Sequence, residues 1–284
     1  MVSRDFQTLA ERRAKRARHL AGRYPASCEA LNFLAEIVSL QSELAAAAAA
    51  GEAPSALDEP RLSAEGGNRD LVARTLVDDP LTALDSLLPG RLAVMDLVER
   101  KGPRRLRDEA ARYDEGACRE SLRAYFSRDD IQSPRSFFAR VLLQPAMFAW
   151  DLRGVKSAEP AAGEHKQACP RCGHRPQAGC LRPHGDGTAL ALVCSLCLHE
   201  WPFTRLRCPS CAEGGHHKLS FYSTAEFPHL EVQVCASCNA YLHLVHLEKE
   251  PEAVTDVDEL AALPLDVWAQ ENGYWKIQPN LAGI

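Results

Sequence analysis

Cys169-Pro-Arg-Cys172, Cys194-Ser-Leu-Cys197, Cys208-Pro-Ser-Cys211 and Cys235-Ala-Ser-Cys238 fall within one stretch of 70 residues. Two cysteines three apart can place both sulfurs on one ion, because the turn between them curls the chain back. Two such turns supply the tetrahedral four-thiolate shell that Zn²⁺ prefers. A single iron accepts the same shell, so the ligand set does not name the metal. The spacers are 21 residues between the first two pairs, 10 between the second and third, and 23 between the last two. These lengths favour sequential pairing, first with second and third with fourth, although an interleaved cross-brace satisfies them too. Disulfides need an oxidising compartment, and the chain shows no secretory signal. A thioredoxin-like dithiol needs a βαβ setting, and none surrounds these pairs. The expected ligands of two metal ions, iron or zinc, are therefore Cys169, Cys172, Cys194, Cys197, Cys208, Cys211, Cys235 and Cys238.

The residues between the pairs read as short strands. Thr188–Val193 is an apolar run, and His199–Leu206 follows it, broken at Pro202. In the second half, Lys218–Ser223 and Leu230–Val234 flank a turn at Pro228, with Leu230, Val232 and Val234 on one face. Tyr241–Leu247 supplies the next strand. Each half then reads as knuckle, hairpin, knuckle, strand, which is a zinc-ribbon or rubredoxin-like module. Cys180, with Gly179 and Pro183 near it, reads as a bystander thiol in a polar loop. Nine of the ten histidines lie between His165 and His246; with eight cysteines already filling two shells, they read as surface, ligand-supporting or partner-facing residues.

The formal charge is −5 over 284 residues, and residues 165–250 carry eight Lys/Arg against seven Asp/Glu. A ribbon that grips phosphates should show a basic face, so nucleic-acid binding is a weak reading. No apolar run reaches the length of a membrane span. Residues 4–23 hold seven Arg/Lys and two acids. Arg12-Arg13 lacks the apolar segment of a twin-arginine signal, so a basic surface helix is expected there. Paired thiols without an export signal point to a reducing cytoplasm.

Outside the cysteines the pattern is helical. Residues 5–50 read as helix and 51–67 as a loop. Helix resumes near Asp70 and again after Pro80, where Leu81, Leu84 and Leu87/Leu88 form a stripe. Pro89-Gly90 breaks it, and Leu92–Arg100 starts another. From Leu106 to Phe126 apolar or small positions step by three and four, predicting one amphipathic helix. Ser133-Pro134 starts another, with Phe137, Phe138, Val141 and Leu142 inward and a kink expected at Pro145. After the ribbons, Asp256-x-x-Glu259 reads as a capping box. Leu260, Leu263, Val267 and Trp268 supply an apolar face, split at Pro264. Asn272-Gly273 is the stop, and the aromatic tail Tyr274–Ile277 should dock on the chain itself. The expected fold is α+β and multidomain: helical domain 1–150, linker 151–168, four-cysteine ribbons 169–207 and 208–250, and a C-terminal helical segment 251–284.

These pieces together resemble the FdhE family of formate dehydrogenase accessory proteins. The resemblance is carried by Phe137–Pro145, Cys169–Gly173, Cys194–Cys197 with Glu200-Trp201, and Arg207–Cys211. It continues through Cys235–Cys238 before Tyr241-Leu242, and Asp258–Asp266 before Gly273-Tyr274. The chain departs from the family pattern at Ala240-Tyr241-Leu242-His243, where Gly-Tyr-Leu-Lys is usual, and at Pro279-Asn280-Leu281. The resemblance implies a cytoplasmic maturation factor or chaperone for respiratory formate dehydrogenase, engaging its molybdenum-containing catalytic subunit and holding iron or zinc. No catalytic constellation, nucleophile elbow or phosphate-binding glycine loop is evident, so a non-enzymatic role is expected. A rubredoxin-like electron carrier is the alternative. Trp201, Tyr241 and the histidine-rich surface are candidate partner contacts, with ordinary packing as the competing role. The sequence is silent on oligomeric state.

Overall fold

Proline and glycine set the helix boundaries. The computed structural model describes residues 2–47, 84–127, 133–151, 166–281 and 283. The expected loop 51–67, the helix near Asp70 and residues 152–165 of the linker 151–168 lie outside these residues. Residues 5–50 are not one helix: α1 (Val2–Arg23) gives way at Pro25 to a 3-10 turn, and α2 (Cys28–Ala47) folds back on α1. Proline lacks the N–H that would continue the ladder. Small residues Ala10, Ala14, Ala17 and Ala21 are buried on α1, opposite Leu31, Leu34, Ile37 and Val38 of α2.

The stripe from Leu106 to Phe126 is also two helices, α4 (Arg104–Ala110) and α5 (Glu115–Ser127), after α3 (Arg91–Lys101). Asp114 makes the break, because its Oδ1 accepts the amide of Ala117 at 2.8 Å as a helix cap. Helix α6 (Pro134–Asp151) continues through Pro145 and buries Phe137, Phe138, Val141 and Leu142 as expected.

Among the described residues, seven strands follow in one sheet. Strands β1 (Pro176–His184), β2 (Gly187–Cys194) and β3 (Glu200–Phe203) form an antiparallel unit. Strands β4 (Leu219–Ser223), β5 (Leu230–Cys235) and β6 (Ala240–His246) repeat it. The units meet where β1 pairs in parallel with β6, Ala178 opposite His243 through Leu181 opposite His246. The order is β3-β2-β1-β6-β5-β4, and the tail strand β7 (Trp275–Lys276) adds to β6. The tail thus docks on the chain's own sheet. Gly179 stands at the join, where a Cβ would come within 2.7 Å of Leu244 and 2.8 Å of Leu190. A side chain there would drive the two units apart.

Strand β1 corrects the polar-loop reading of residues 179–183. Cys180 lies within it, fully buried, and burial pushes its thiol up to about 12. Helices α7 (Thr255–Ala261) and α8 (Leu263–Glu271), split at Pro264, close the fold, and Gly273 (φ +81°) ends α8. Leu260 is buried, whereas Val267 is 52% exposed and does not share its face. The capping box is absent too. Val254 N donates to Asp258 Oδ2 at 2.8 Å, while Asp256 and Glu259 face other partners.

Those partners are buried charges that tie the helices to the sheet. Arg13 of α1 bonds Asp256 at 2.7 Å. Arg16 bonds Asp258 at 2.6 Å, and His229 meets the same carboxylate at 2.9 Å. Burial alone would raise the Asp258 carboxyl, but hydrogen bonds from His229 and Arg16 outweigh it and hold it below the usual range.

Candidate metal centre

Three of the Cys-x-x-Cys turns close on the same hydrogen bond. The amide directly after the second cysteine donates to the carbonyl of the first: Gly173 N to Cys169 O at 2.9 Å, Ala212 N to Cys208 O at 3.0 Å, and Asn239 N to Cys235 O at 2.8 Å. To close this turn the residue after the second cysteine takes positive φ in all four knuckles: Gly173 73°, Leu198 57°, Ala212 62° and Asn239 56°. Among the described residues, Leu198, Ala212 and Asn239 are the only non-glycine residues with positive φ. An L-residue pays about 1–2 kcal/mol for this conformation, which glycine avoids at an entropic cost of about 0.5–1 kcal/mol. Ala212→Gly should therefore tighten its knuckle by up to about 1 kcal/mol. A chelator-competition titration checks this, with several-fold tighter metal retention expected and no change contradicting it.

Middle strands end on cysteines, β2 on Cys194 and β5 on Cys235. The knuckles preceding each hairpin come back to meet them, and the eight sulfurs gather sequentially. Cys169, Cys172, Cys194 and Cys197 form one group and Cys208, Cys211, Cys235 and Cys238 another. In the first, Cys169 lies 3.6 Å from Cys197, and Cys172 lies 3.3 Å from Cys194 and 3.5 Å from Cys197. In the second, Cys208 lies 3.7 Å from Cys238 and Cys211 lies 3.8 Å from Cys235. Metal–sulfur bonds of about 2.3 Å give a tetrahedron with sulfur–sulfur edges of about 3.8 Å, whereas a disulfide holds its sulfurs about 2.05 Å apart. The donor set and spacing fit a tetrahedral ion at each position. Amides also point at sulfur: Leu196 N to Cys194 Sγ at 3.4 Å and Ser210 N to Cys208 Sγ at 3.3 Å.

All four cysteines of the first group are buried, whereas Cys211 is exposed and Cys238 half-buried in the second. Burial pushes the Cys172 thiol well above its ordinary value. For Cys194 burial acts the same way, but hydrogen bonds from the neighbouring thiols outweigh it and hold Cys194 below. Four thiolates cannot share such a space without a cation, so metal uptake and proton release are coupled here.

Surroundings of the first group come from the helices. The His174 ring stacks on Tyr125 at 5.2 Å, with its nitrogens 3.0 Å from the Tyr125 carbonyl and 3.3 Å from that of Cys172. Arg140 Nε donates to Ser195 O at 2.8 Å, and its other nitrogens reach Pro279 O and Gln177. His174, His229, His243 and His246 are buried, so the surface alternative falls for these four, while His174, beside the Cys172 carbonyl, fits the ligand-supporting one. Trp201 and Tyr241 are likewise packing residues. Trp201 donates to Lys166 O at 2.8 Å and Tyr241 to Asp266 at 2.8 Å, both from buried positions.

A third group escaped the sequence reading. His243, Glu259 and Asp266 converge in the interior. Lys276 from β7 supplies the cation: its ammonium bonds Glu259 and lies 2.9 Å from Asp266. Burial raises Glu259 to about 7 and lowers His243 to about 4. A lone lysine in an aromatic tail was the one signal available.

The fold and site define a helical protein that carries a zinc-ribbon-like sheet with two four-cysteine groups. A family model described as "FdhE, C-terminal domain" matches residues 206–282. The chain is 33% identical to an FdhE homolog of Pseudomonas aeruginosa over 98% of this chain and 90% of that one. It is 30% identical to FdhE of Escherichia coli O139:H28 over 97% and 88%. An Aquifex aeolicus homolog, 32% identical, aligns over about half of each chain. The crystal structure of the FdhE protein from Pseudomonas aeruginosa superposes with a TM-score of 0.64 at 27% identity, over 97% of this chain and 95% of that one. The chain belongs to the FdhE family. Among the described residues no helix is long and apolar enough to cross a membrane.

Proposed function

We propose that this chain is a non-catalytic accessory factor that engages the catalytic subunit of a formate dehydrogenase during its maturation in the cytoplasm. The observation that carries the reading is the end-to-end match to FdhE proteins at about a third identity, on a scaffold with two preassembled four-sulfur groups. Cys169, Cys172, Cys194 and Cys197 hold one metal ion and Cys208, Cys211, Cys235 and Cys238 the other, each iron or zinc. The metal supplies cross-links that a small sheet lacks. The chain's own residues position those cross-links against the helices, giving the partner one rigid surface to dock on.

The test is a binding experiment between the purified metal-loaded chain and a purified formate dehydrogenase catalytic subunit. A saturable complex that is lost when the four-sulfur groups are disrupted supports the reading. Independent migration of the two proteins at micromolar concentration contradicts it. Elemental analysis with a visible spectrum distinguishes coloured iron from colourless zinc at about two metals per chain.

A further inference from the structure

We propose that the second four-sulfur group is an exchange site, at which an external thiol replaces Cys211 on the metal, while the first group keeps its metal closed. This rests on the metal reading above and adds a division of labour between the two groups.

Three observations carry it. Cys211 is exposed and Cys238 half-buried, whereas no cysteine of the first group exceeds 6% exposure. Cys169, Cys172, Cys194 and Cys197 belong to the main hydrophobic core, packed with the helices. Cys208 and Cys235 pack with Leu219 in a small separate cluster, flanked by Phe221 and Cys238, which also touch the edge of the main core. Finally, the bonds around the second group hold its knuckles, and the amide that reaches sulfur, Ser210 N, meets Cys208 rather than Cys211. Trp275 Nε1 donates to Cys238 O at 2.7 Å and its amide to Asn239 O at 2.8 Å. Gln167 Nε2 donates to Ser210 O at 2.6 Å. The knuckles therefore stay in place while one ligand is open to solvent.

Geometry of this kind permits substitution without unfolding. The incoming thiol binds as thiolate, the bond from the metal to Cys211 Sγ breaks, and the proton given up by the incoming thiol passes to Cys211. The metal keeps four sulfurs, its charge and its oxidation state. The ligand class is an unhindered thiol, such as a cysteine presented by a partner. At the first group the same step requires opening the core, which needs far more free energy than a local opening.

The full chain, zinc-loaded and shown by elemental analysis to hold two metals, is challenged with a coloured chelator under native conditions. One equivalent should leave more than about tenfold faster than the other. Iodoacetamide in parallel should label Cys211 first among the eight ligand cysteines, with peptide mapping showing Cys169, Cys172, Cys194 and Cys197 protected and the half-buried Cys28, outside both groups, labelled independently. A Cys211→Gly chain should hold one metal and regain the second when 2-mercaptoethanol is added. Equal release rates, or early labelling in the first group, overturn the proposal, as does a Cys211→Gly chain that no thiol refills. If that variant does not fold, the chelator and labelling results on the unaltered chain decide. A chain that carries no metal at the outset overturns the metal reading as well, so the prior elemental analysis separates the two failures.

Discussion

Replacing Cys194 by serine should abolish native folding of the sheet and of the helices packed on it. Cys194 is fully buried at the end of β2, opposite Pro176 of β1. The hydroxyl is shorter and a far poorer ligand for a soft thiophilic ion. Structural zinc sites contribute about 10–16 kcal/mol of apparent free energy at neutral pH, against a net stability of about 5–15 kcal/mol for a typical domain. Losing most of one site therefore consumes the whole margin. The effect should spread beyond the ribbon, because the next residue, Ser195, accepts Arg140 of α6 through its carbonyl. Metal content, helical circular dichroism and a urea titration measure it together. A Cys194→Ser chain with two metals and an unchanged urea midpoint would show that the first group is not structural.

The same logic explains which features were legible beforehand. Knuckle spacing is local chemistry, and the matched spacers led to the sequential grouping that the sulfur positions show. Strands β2, β4, β5 and β6 carry apolar or alternating runs and were readable within a residue or two. Strand β1 was not, because Pro176, Gly179 and Pro183 argue against a strand. It forms because two neighbours pair with it, β2 along its length and β6 at Ala178–Leu181. That parallel join links residues far apart in sequence, and no local pattern encodes it.

Helix breaks failed for a different reason. Apolar periodicity continued through Tyr113, yet Asp114 offered a better-satisfied start for a new helix. Within α7 the acidic residues suggested a cap, but all three are partners of cations from remote segments: Asp256 with Arg13, Asp258 with Arg16, and Glu259 with Lys276. Long-range ion pairs overrode a local motif. The positive φ at Leu198 and Ala212 was invisible as well, since neither residue type favours it and only closure of the sulfur cage compels it.

Lys276→Met should destabilise the chain by about 3–5 kcal/mol at pH 8, because it leaves buried carboxylates without their cation. Lys276, Glu259, Asp266 and His243 are all buried; Tyr241 donates to Asp266 Oδ1, and Gln177 and Asn280 donate to Glu259, while Asp266 Oδ2 accepts no hydrogen bond from the described residues. Burial alone would lower the Lys276 ammonium, but Glu259 and Asp266 outweigh it and raise it. Burial alone would raise Asp266, but Lys276 outweighs that and holds it low. With Glu259 raised to about 7, the cluster below neutrality holds one ammonium, one carboxylate and one protonated carboxyl, and is neutral overall. Removing the ammonium raises the folded-state value of Asp266 above its unfolded one. The variant's native state then binds more protons than its unfolded state, so its stability recovers as pH falls and the deficit should shrink by pH 5. Glu259→Gln separates the two carboxyl groups. A raised Glu259 contributes stability present below about 4.5 and lost as pH rises through about 7. The amide variant should therefore gain on the unaltered chain between pH 5 and 8, on the order of 3 kcal/mol. Urea midpoints of the three chains at both pH values decide it. A Lys276→Met deficit that is absent, or equal at pH 5 and pH 8, would mean that the carboxyl groups find water or another partner when the ammonium is gone.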